Sequence, residues 1–330
     1  MKEQLAKVLR GERLSEDEAG AAMATIMDGE ATPAQIGALL AGLLVRGECE
    51  DEIVGFARTM RARAVPIRSQ GAIDTCGTGG DGSHTFNIST VASLVVAACG
   101  VPVAKHGNRS ARCGSADLLE ALDVKIDAAP ETVQRSLDDH GWAFLFAPGF
   151  HAATRHAVGP RKELGVRTAF NLLGPLTNPA RPAAQIVGVP RPELVPFLAR
   201  CLQRLEVKRA WVVHGSGLDE ISPEGETLVA AVENGAIRSF RLRPEDAGLA
   251  PVPLAAIAGG DAKASAAIAH EVLSGASGPR RDVVVLNAAA ALVVAGRAAD
   301  LKQAAQQAQQ AIDRGAARVL LERAREASHR

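Results

Sequence analysis

A glycine-rich stretch and the polar residues after it are the first candidates for chemistry in this 330-residue chain. Four of the six residues from Gly77 to Gly82 are glycine, and Asn87, Ser89 and Thr90 stand where a helix is expected to begin. Glycine lets the backbone approach a ligand closely and present its N–H groups to anionic oxygens. A helix N-terminus adds free N–H groups and a favourable dipole. Together these features predict a phosphate or pyrophosphate site.

Two common phosphate-loop motifs do not fit this stretch. Its letters satisfy the dinucleotide motif G-x-G-x-x-G, but that motif requires an acidic residue about 20 positions further on. No Asp or Glu occurs between Asp81 and Asp117. A Walker loop would end in Gly-Lys-Ser/Thr, and the stretch has no such ending. For the glycines taken alone, a flexible loop without a ligand remains the alternative.

Two further loops place polar residues after predicted strands. The first carries cations and hydrogen-bond donors, namely Lys105, His106, Asn108, Arg109 and Arg112. The second follows the apolar run "AWVVHG" and ends in the adjacent acidic pair Asp219 and Glu220. Mg²⁺ prefers a few carboxylates together with water and substrate phosphates. The pair is therefore a candidate magnesium site, with a solvated surface turn as the alternative.

Alternating strands and helices are expected to position these loops. Short apolar runs such as "VPVAKHG", "WAFLFAP", "AQIVGV" and "RAWVVHG" alternate with helical stretches, for example Ala262–Leu273. This alternation predicts an α/β fold class with a mostly parallel central sheet flanked by helices, in which sites gather at the carboxyl ends of strands. We expect this α/β domain to cover residues 69–330.

A small all-helical domain is predicted over residues 1–68. Thr32 and Pro33 form a helix cap followed by proline at the first helical position. The apolar residues that follow at helical spacing should form one stripe that ends at Gly47: Ile36, Leu39, Leu40, Leu43 and Leu44. A crossover segment near residues 167–190 is expected to join the two domains.

Composition narrows the class of protein. Lys+Arg and Asp+Glu both total 37, and aromatic residues make up 3% of the chain with no Tyr. This balance disfavours a broad nucleic-acid or anionic-membrane surface, and bases would find few stacking platforms. Five scattered cysteines without C-x-x-C spacing disfavour a disulfide framework or a thiolate zinc site. The N-terminus lacks the apolar core of a secretory signal, and no apolar run is long enough to span a bilayer. We expect a soluble, cytoplasmic protein.

The ordered set of motifs resembles one enzyme family from end to end. The segments "TFNIST", "KHGNRS", "GSADLLEAL", "ELGVRTAFNLLGPLTNP" and "VVHGSGLDEIS" are similar to those of the anthranilate phosphoribosyltransferases of tryptophan biosynthesis. The resemblance implies Mg²⁺-dependent transfer of the 5-phosphoribosyl group from phosphoribosyl pyrophosphate (PRPP) to the amine of anthranilate, with release of pyrophosphate. It also implies a small α-domain, a larger α/β domain and a homodimer formed through the small domains.

The resemblance assigns roles residue by residue. The implied PRPP-binding positions are Gly77, Gly80, Asp81, Thr85, Asn87, Ile88, Ser89, Thr90, Lys105, His106, Gly107, Asn108, Arg109, Ser110 and Ser115. The implied anthranilate-binding positions are Gly77, Asn108 and Arg161. Ser89, Asp219 and Glu220 are the implied ligands of one or two Mg²⁺ ions per subunit. No covalent nucleophile is implied. We expect structural or substrate-positioning roles for His106 and His151, with general-base catalysis as the less favoured alternative.

One loop departs from the family pattern. The family usually has five residues, commonly V-S-S-K-S, between "KHGNRS" and "GSAD", whereas this chain has three, Ala111-Arg112-Cys113. Two serines of a phosphate-contacting loop are therefore missing. Either the charge of Arg112 replaces the lost hydroxyl contacts, or PRPP binding is weakened.

Two other functions remain as alternatives. A pyrimidine nucleoside phosphorylase shares the fold, but it would carry a segment of the type "GRGLGHTGGT" in place of "KHGNRS" and would lack the Asp219-Glu220 pair. A non-enzymatic, nucleic-acid-binding relative of the family is the other alternative. The balanced charge of the chain disfavours it.

Overall fold

A small helical layer and a larger α/β unit make up the computed structural model, which describes residues 1–110 and 112–330. The α-helices are α1 (Lys2–Leu9), α2 (Glu16–Met27), α3 (Pro33–Arg46), α4 (Glu50–Arg63), α5 (Ile88–Ala98), α6 (Ser115–Ala121), α7 (Pro130–His140), α8 (Ala147–Phe150), α9 (Arg155–Leu164), α10 (Ala169–Leu173), α11 (Leu194–Arg204), α12 (Ala262–Leu273), α13 (Pro279–Val294), α14 (Leu301–Asp313) and α15 (Ala316–Ser328). Ala111, the first residue of the short loop, lies outside the described residues. The predicted fold class, a small helical N-terminal part followed by an α/β domain, is confirmed.

One mixed sheet forms the centre of the α/β domain. Its strands are β1 (Ile73–Thr75), β2 (Val103–Gly107), β3 (Trp142–Phe146), β4 (Ala184–Gly188), β5 (Arg209–Gly215), β6 (Thr227–Glu233) and β7 (Ala236–Leu242). They lie in the order β3-β2-β1-β4-β5-β6-β7. The first five in this order pair in parallel, and β6 and β7 add an antiparallel edge. The predicted, mostly parallel sheet is therefore present.

The antiparallel edge has a sequence signal of its own. Strands β6 and β7 are joined by Asn234 and Gly235, both of which have positive φ, at 47° and 81°. An Asn-Gly pair between two extended runs is the strongest short-range sign of a tight hairpin, because both central residues of such a turn need positive φ. The strand–helix alternation alone did not predict this hairpin.

Both faces of the central strands are buried. Along β4 and β5, Ile186 and Val213 enter the core beneath α5 and α13, whereas Val187 and Val212 enter the core shared with the helical layer. Successive side chains of a strand point to opposite faces, so an uninterrupted apolar run is what a doubly covered strand requires. Helices α9 and α10 pack against α2, α3 and α4, on the side of the helical layer.

The third helix begins as its cap predicts. The Thr32 hydroxyl accepts a hydrogen bond from the Gln35 N–H at 3.2 Å, and the Gln35 side chain accepts one from the Thr32 N–H at 3.0 Å. Four of the five predicted stripe residues, from Ile36 to Leu43, are buried. The prediction is wrong for Leu44, which is 41% exposed beside Val45 at 88%. The inward face is complete with Leu43, and the helix turns the next two residues about 100° and 200° away from it.

The chain order places a crevice at the centre of the sheet. From β1 the chain builds outward through β2 and β3, and it then returns to add β4 on the other side of β1. The carboxyl ends of parallel strands on either side of such a reversal form the usual ligand crevice of an open α/β sheet. The glycine loop leaves β1 at this edge, and the acidic pair follows β5 at the same edge. Within the described residues, no helix is long and apolar enough to cross a membrane.

Candidate active site

The glycine loop and the acidic pair are hydrogen-bonded to each other. The Gly79 N–H donates to Asp219 Oδ2 at 2.7 Å, and the Asp219 N–H donates to Asp81 Oδ2 at 3.3 Å. The Thr78 N–H donates to the Gly188 carbonyl at 2.9 Å, which joins the loop to the end of β4. The glycine loop and the acidic pair, about 140 positions apart in the chain, therefore meet at the crevice, as a shared binding site requires.

Two glycines allow Asp219 to lie this close to the sheet. A Cβ on Gly77 would lie 2.7 Å from Asp219 Oδ2, and a Cβ on Gly188 would lie 1.6 Å from the Asp219 carbonyl oxygen. Gly188 requires glycine because the clash is with backbone, whereas a Cβ on Gly77 would displace the Asp219 carboxylate. The sequence analysis missed Gly188. Its signal was an isolated glycine inside the strand "AQIVGV", which often marks a close backbone approach.

The start of α5 contacts the second acidic residue. The Ser89 N–H donates to Glu220 Oε1 at 3.1 Å. The buried Lys105 ammonium, on β2, donates to the Thr75 carbonyl at 2.7 Å and lies 3.5 Å from Ser89 Oγ. The lysine therefore places a positive charge beneath the loop, beside the helix N-terminus. An anion at this point would meet the Ser89 hydroxyl and the Lys105 ammonium, in the favourable field of the helix N-terminus.

Burial disfavours the charged forms of both acidic side chains. Burial raises the pKa of Asp219, with the nearby Asp81 carboxyl as the second cause. Burial also raises the pKa of Glu220, and repulsion from Asp219 adds to it. The opposing charges, Arg167 for Asp219 and Lys105 for Glu220, do not outweigh burial. A bound cation would favour the charged form of both carboxyls.

The donor atoms fit Mg²⁺. The acidic side chains and the Ser89 hydroxyl offer oxygen atoms alone, which is the ligand type that magnesium prefers. A small cavity lies beside Ser89 and Glu220, lined also by Thr75, Gly77, Gly188 and Asn287. Over residues 1–110 and 112–330 no three His, Cys, Asp or Glu side chains cluster as a complete metal site. The remaining ligands would therefore be hydroxyl, water or substrate oxygens, as is usual for magnesium at phosphate sites.

The "KHGNRS" segment is fixed by the first turn of α6. Asp117 Oδ2 accepts hydrogen bonds from the Ser110 N–H at 3.2 Å and the Gly114 N–H at 2.7 Å. The Ser115 hydroxyl lies 3.4 Å from the Asn108 carbonyl oxygen. The predicted PRPP positions Asn108, Ser110 and Ser115 therefore lie together. Asp117, which accepts from Ser110 and Gly114, was not predicted, although an acid three residues after Gly114 is a typical helix-start signal.

Several predicted residues have side chains that are buried or already paired. Arg109 pairs with Asp117 at 3.1 Å and with Glu120, so its guanidinium is already neutralised. Ile88 and Thr90 are buried, and the Ile88 N–H donates to the Phe86 carbonyl at 2.7 Å. At three further predicted positions the backbone packs closely against a neighbour. A Cβ on Gly107 would lie 2.1 Å from Ser115 Oγ, and a Cβ on Gly80 would overlap Arg167. Thr85 forms a β-bridge with Ala258.

Arg167 is a residue that the sequence analysis missed. Its guanidinium lies against Gly80 and donates to the Thr78 carbonyl at 3.0 Å. It thereby connects the segment after α9 to the glycine loop, near Asp219 and Asp81. A lone arginine in a loop carries no local signal of such a contact. The tertiary structure alone reveals it.

Arg161, on α9, has no charged partner among the described residues. Its guanidinium carbon lies 4.8 Å above the centre of the Phe170 ring. Burial lowers the pKa of Arg161, and no carboxylate in the described part of the chain opposes that effect. A half-buried, unpaired guanidinium stacked on an aromatic face suits a planar carboxylate ligand, which it can bind through two parallel hydrogen bonds.

The two candidate histidines lie side by side. The ring centres of His106 and His151 are 5.4 Å apart. His106 Nδ1 donates to the Gly174 carbonyl at 3.0 Å and His151 Nε2 to the Thr177 carbonyl at 2.9 Å, so these nitrogens carry the protons. Burial lowers the pKa of both rings, to about 3 for His106. Both are therefore neutral at pH 7, and each keeps one buried nitrogen as a lone-pair acceptor.

Comparison with protein families agrees with this architecture. The family model "Glycosyl transferase family, a/b domain" matches residues 69–318, and "Glycosyl transferase family, helical bundle domain" matches residues 2–64. These two matches cover nearly the whole chain. The fold and the crevice at the sheet edge thus define an enzyme of the glycosyl transferase family.

Individual relatives identify a narrower family within the glycosyl transferases. The anthranilate phosphoribosyltransferase of Moorella thermoacetica is 56% identical over 327 residues, which cover 98% of this chain and 96% of the relative. The structure of the enzyme of the same name from Thermus thermophilus is 45% identical, with a TM-score of 0.94 and 99% of both chains covered. The Saccharomyces cerevisiae enzyme, solved in complex with PRPP and Mg, is 28% identical, with a TM-score of 0.91 and 99% and 97% covered. The chain belongs to the anthranilate phosphoribosyltransferase family.

Proposed function

We propose that this protein transfers the 5-phosphoribosyl group of PRPP to the amine of anthranilate, in the presence of Mg²⁺, as the second step of tryptophan biosynthesis from chorismate. The products are N-(5-phosphoribosyl)anthranilate and pyrophosphate. The observation that carries the proposal is the crevice in which the glycine loop, the start of α5 and the buried Asp219-Glu220 pair meet. Close relatives that bear this enzyme's name support the choice of substrates.

The chain's own residues would hold the donor substrate in place. The N–H groups of the glycine loop, the Lys105 ammonium and the loop that Asp117 fixes surround the position for the phosphates. Ser89, Asp219 and Glu220 would hold one or two Mg²⁺ ions. The bound magnesium supplies positive charge against the developing charge of the departing pyrophosphate. Since these groups are fixed before the reaction, little reorganisation is needed in the transition state.

The acceptor needs positioning more than activation. Arg161 would bind the carboxylate of anthranilate, and Asn108 would lie near its ring, so the amine faces the anomeric carbon. The amine displaces pyrophosphate from that carbon through a cation-like transition state, and no covalent enzyme intermediate is required. The neutral His106 and His151 could accept hydrogen bonds without taking the proton, which agrees with the positioning role expected for them.

The direct test follows the fluorescence of anthranilate in the presence of PRPP and Mg²⁺. We expect anthranilate to be consumed and pyrophosphate to be released in equal amounts, and we expect EDTA to stop the reaction. A folded protein that consumes no anthranilate would contradict the proposal. Activity of the natural sequence would also show that the three-residue loop supports PRPP binding.

Arg161→Ala should raise the KM for anthranilate roughly 10- to 100-fold and change kcat little, because a charge-assisted pair to the carboxylate is lost in substrate and transition state alike. Arg161→Lys should give an intermediate KM for anthranilate, since lysine keeps the positive charge but lacks the planar guanidinium that forms two parallel hydrogen bonds. The exposed Arg323, changed to alanine, is the matched control. Initial rates over a range of anthranilate concentrations measure the effect. An unchanged KM for anthranilate would remove Arg161 from the acceptor site.

We also propose a homodimer formed through the small helical domain. Leu9 on α1 is 64% exposed and Val45 on α3 is 88% exposed, next to the partly exposed Leu44. Helices α1 and α3 pack on each other, so the three apolar side chains belong to neighbouring helices. Apolar groups of this kind lose contact with water when a second subunit covers them.

Leu9→Glu combined with Val45→Glu should therefore convert a dimer into a monomer. Size-exclusion chromatography with light scattering should give twice the chain mass of 34.3 kDa for the natural protein and the single mass for the variant. Val319→Glu, at an exposed valine on α15, is the control and should leave the dimer intact. A natural protein that is monomeric at all concentrations would contradict the proposed assembly.

Three finer assignments belong to the same proposal. The domain boundary lies between residues 68 and 69, with the crossover near residues 167–190, and the enzyme acts in the cytoplasm.

The pyrimidine nucleoside phosphorylase and nucleic-acid-binding alternatives are less favoured, since the relatives and the retained Asp219-Glu220 pair point to the transferase. DNA binding with a steep dependence on salt would favour the second alternative.

A further inference from the structure

The two residues that flank the three-residue loop, Ser110 and Gly114, lie close together. Asp117 holds its two ends through the Ser110 and Gly114 N–H groups. A Cβ on Gly114 would lie 2.4 Å from the Asn108 carbonyl oxygen, so the chain returns directly onto the "KHGNRS" segment. Cys113, the last residue of the loop, is therefore fixed immediately before α6. This closure determines where its side chain lies.

Cys113 and Asn87 are joined by two hydrogen bonds. Asn87 Nδ2 donates to the Cys113 carbonyl at 3.0 Å, and Cys113 Sγ donates to Asn87 Oδ1 at 3.3 Å. A carbonyl can only accept, so the first bond fixes which end of the amide is nitrogen. The second bond then holds the oxygen end. Together they leave one orientation for the Asn87 side chain, with its second Nδ2–H still free to donate.

Asn87 occupies a special place at the crevice. It is the residue before α5, yet its side chain forms no capping hydrogen bond with that helix. An asparagine at this position usually turns its oxygen toward the N–H groups of the first turn. Here the amide instead bridges sideways to the short loop, which leaves the N–H groups at the start of α5 uncapped by this side chain. Those groups have other acceptors: the Ile88 N–H donates to the Phe86 carbonyl at 2.7 Å and the Ser89 N–H donates to Glu220 Oε1 at 3.1 Å. The Asn87 amide is therefore not needed as a cap and stays available to a ligand.

The thiol is suited to remain a donor. Burial is the main cause that raises the pKa of Cys113, so the sulfur keeps its proton at neutral pH. The Ser265 hydroxyl lies beside the thiol and acts against burial, because its contact with the sulfur lowers the pKa of Cys113. The nearer acceptor of the thiol is Asn87 Oδ1 at 3.3 Å, and the Gly114 carbonyl lies further away, at 3.8 Å.

We propose that Cys113 is a positioning residue for PRPP binding, because it fixes the Asn87 amide so that the amide donates to the substrate rather than caps α5. This inference rests on the proposed function, in which Asn87 contacts PRPP. It gives the short loop a specific role: a thiol and a carbonyl from the loop orient a residue of the neighbouring loop. The contact to the ligand then comes from Asn87, so a loop with no serine of its own still contributes to the site.

The test removes the thiol donor and keeps the shape. Cys113→Val should weaken PRPP binding about three- to tenfold, which corresponds to the loss of one hydrogen bond. The KM for PRPP should rise by the same factor, while kcat and the KM for anthranilate stay unchanged. Cys113→Ser keeps a donor and should remain within about twofold of the natural protein. Calorimetric titration with PRPP and Mg²⁺, without anthranilate, measures binding independently of turnover.

Two further variants separate positioning from packing. In an Asn87→Ala background, Cys113→Val should cause no additional loss, because the two residues act as one unit. Ser265→Ala, which removes the other polar neighbour of the thiol, is the matched control and should bind PRPP normally. Cys113→Ala removes the same donor if valine lowers the melting temperature. Unchanged PRPP affinity in Cys113→Val and Cys113→Ala, or an equal further loss on adding Cys113→Val to the Asn87→Ala background, would overturn the inference.

The outcomes also distinguish this inference from the proposed function. A natural protein that binds PRPP and consumes anthranilate, with a Cys113→Val variant of equal affinity, would overturn the role of Cys113 alone. A natural protein that does not bind PRPP would overturn both.

Discussion

Asp219→Asn combined with Glu220→Gln should lower kcat by about 10³-fold or more, while the melting temperature stays the same or rises. The amides keep the size of the side chains and can still accept the hydrogen bonds from the Gly79 and Ser89 N–H groups. They remove the charge on which magnesium binding depends. Burial disfavours that charge in the folded protein, so neutral replacements should not destabilise the fold.

Two measurements check this result together. The anthranilate assay gives kcat at saturating PRPP and Mg²⁺, and thermal unfolding gives the stability of the same samples. The matched control is Asp138→Asn with Asp139→Asn, an adjacent acidic pair exposed on α7, which should change neither quantity. A double variant at Asp219 and Glu220 that keeps more than about a tenth of the natural turnover would exclude this pair as the magnesium site.

Gly188→Ala should lower kcat/KM for PRPP by about 10²-fold, although the residue bears no functional group. The new methyl group would lie 1.6 Å from the Asp219 carbonyl oxygen and 2.4 Å from its carbonyl carbon. These are backbone atoms, which cannot rotate away as a side chain can, so the loop that carries the acidic pair must move. We expect a loss of stability of about 1–3 kcal/mol as well, which is the usual cost of overpacking.

The control for this variant is a glycine with free space around it. Gly149, in the exposed part of α8, has no heavy atom within 4 Å of the point where a Cβ would lie, so Gly149→Ala should leave activity unchanged. Metal titration monitored by thermal shift should also show that Gly188→Ala needs more Mg²⁺ to reach full stabilisation. Natural kinetics in Gly188→Ala would show that the acidic loop tolerates displacement and that its exact place is not critical.

Local sequence signals predicted much of the fold. The cap at Thr32 and Pro33 begins α3, and the helix predicted at Ala262–Leu273 has those same bounds. The apolar runs of β2 to β5 could be recognised because strands covered on both faces carry few polar residues. Leu44 was misassigned since a helical pattern gives a face only to within one position. The hairpin at Asn234 was overlooked, although its turn signal is local.

The candidate site likewise combines features that the sequence predicts with features that only the tertiary structure reveals. The sequence by itself determined which groups are available: glycines for backbone donors, Ser89 at a helix start, the Asp219-Glu220 pair and the Arg161 fork. The glycines, Ser89 and the acidic pair follow from residue type and near-neighbour spacing, whereas Arg161 follows from the resemblance to the family. The tertiary structure alone decided that Gly188 must make room for Asp219, that Arg167 lies on Gly80, and that Cys113 orients Asn87. Those contacts join residues far apart in the chain, and their distances depend on how the sheet brings its strand ends to one edge.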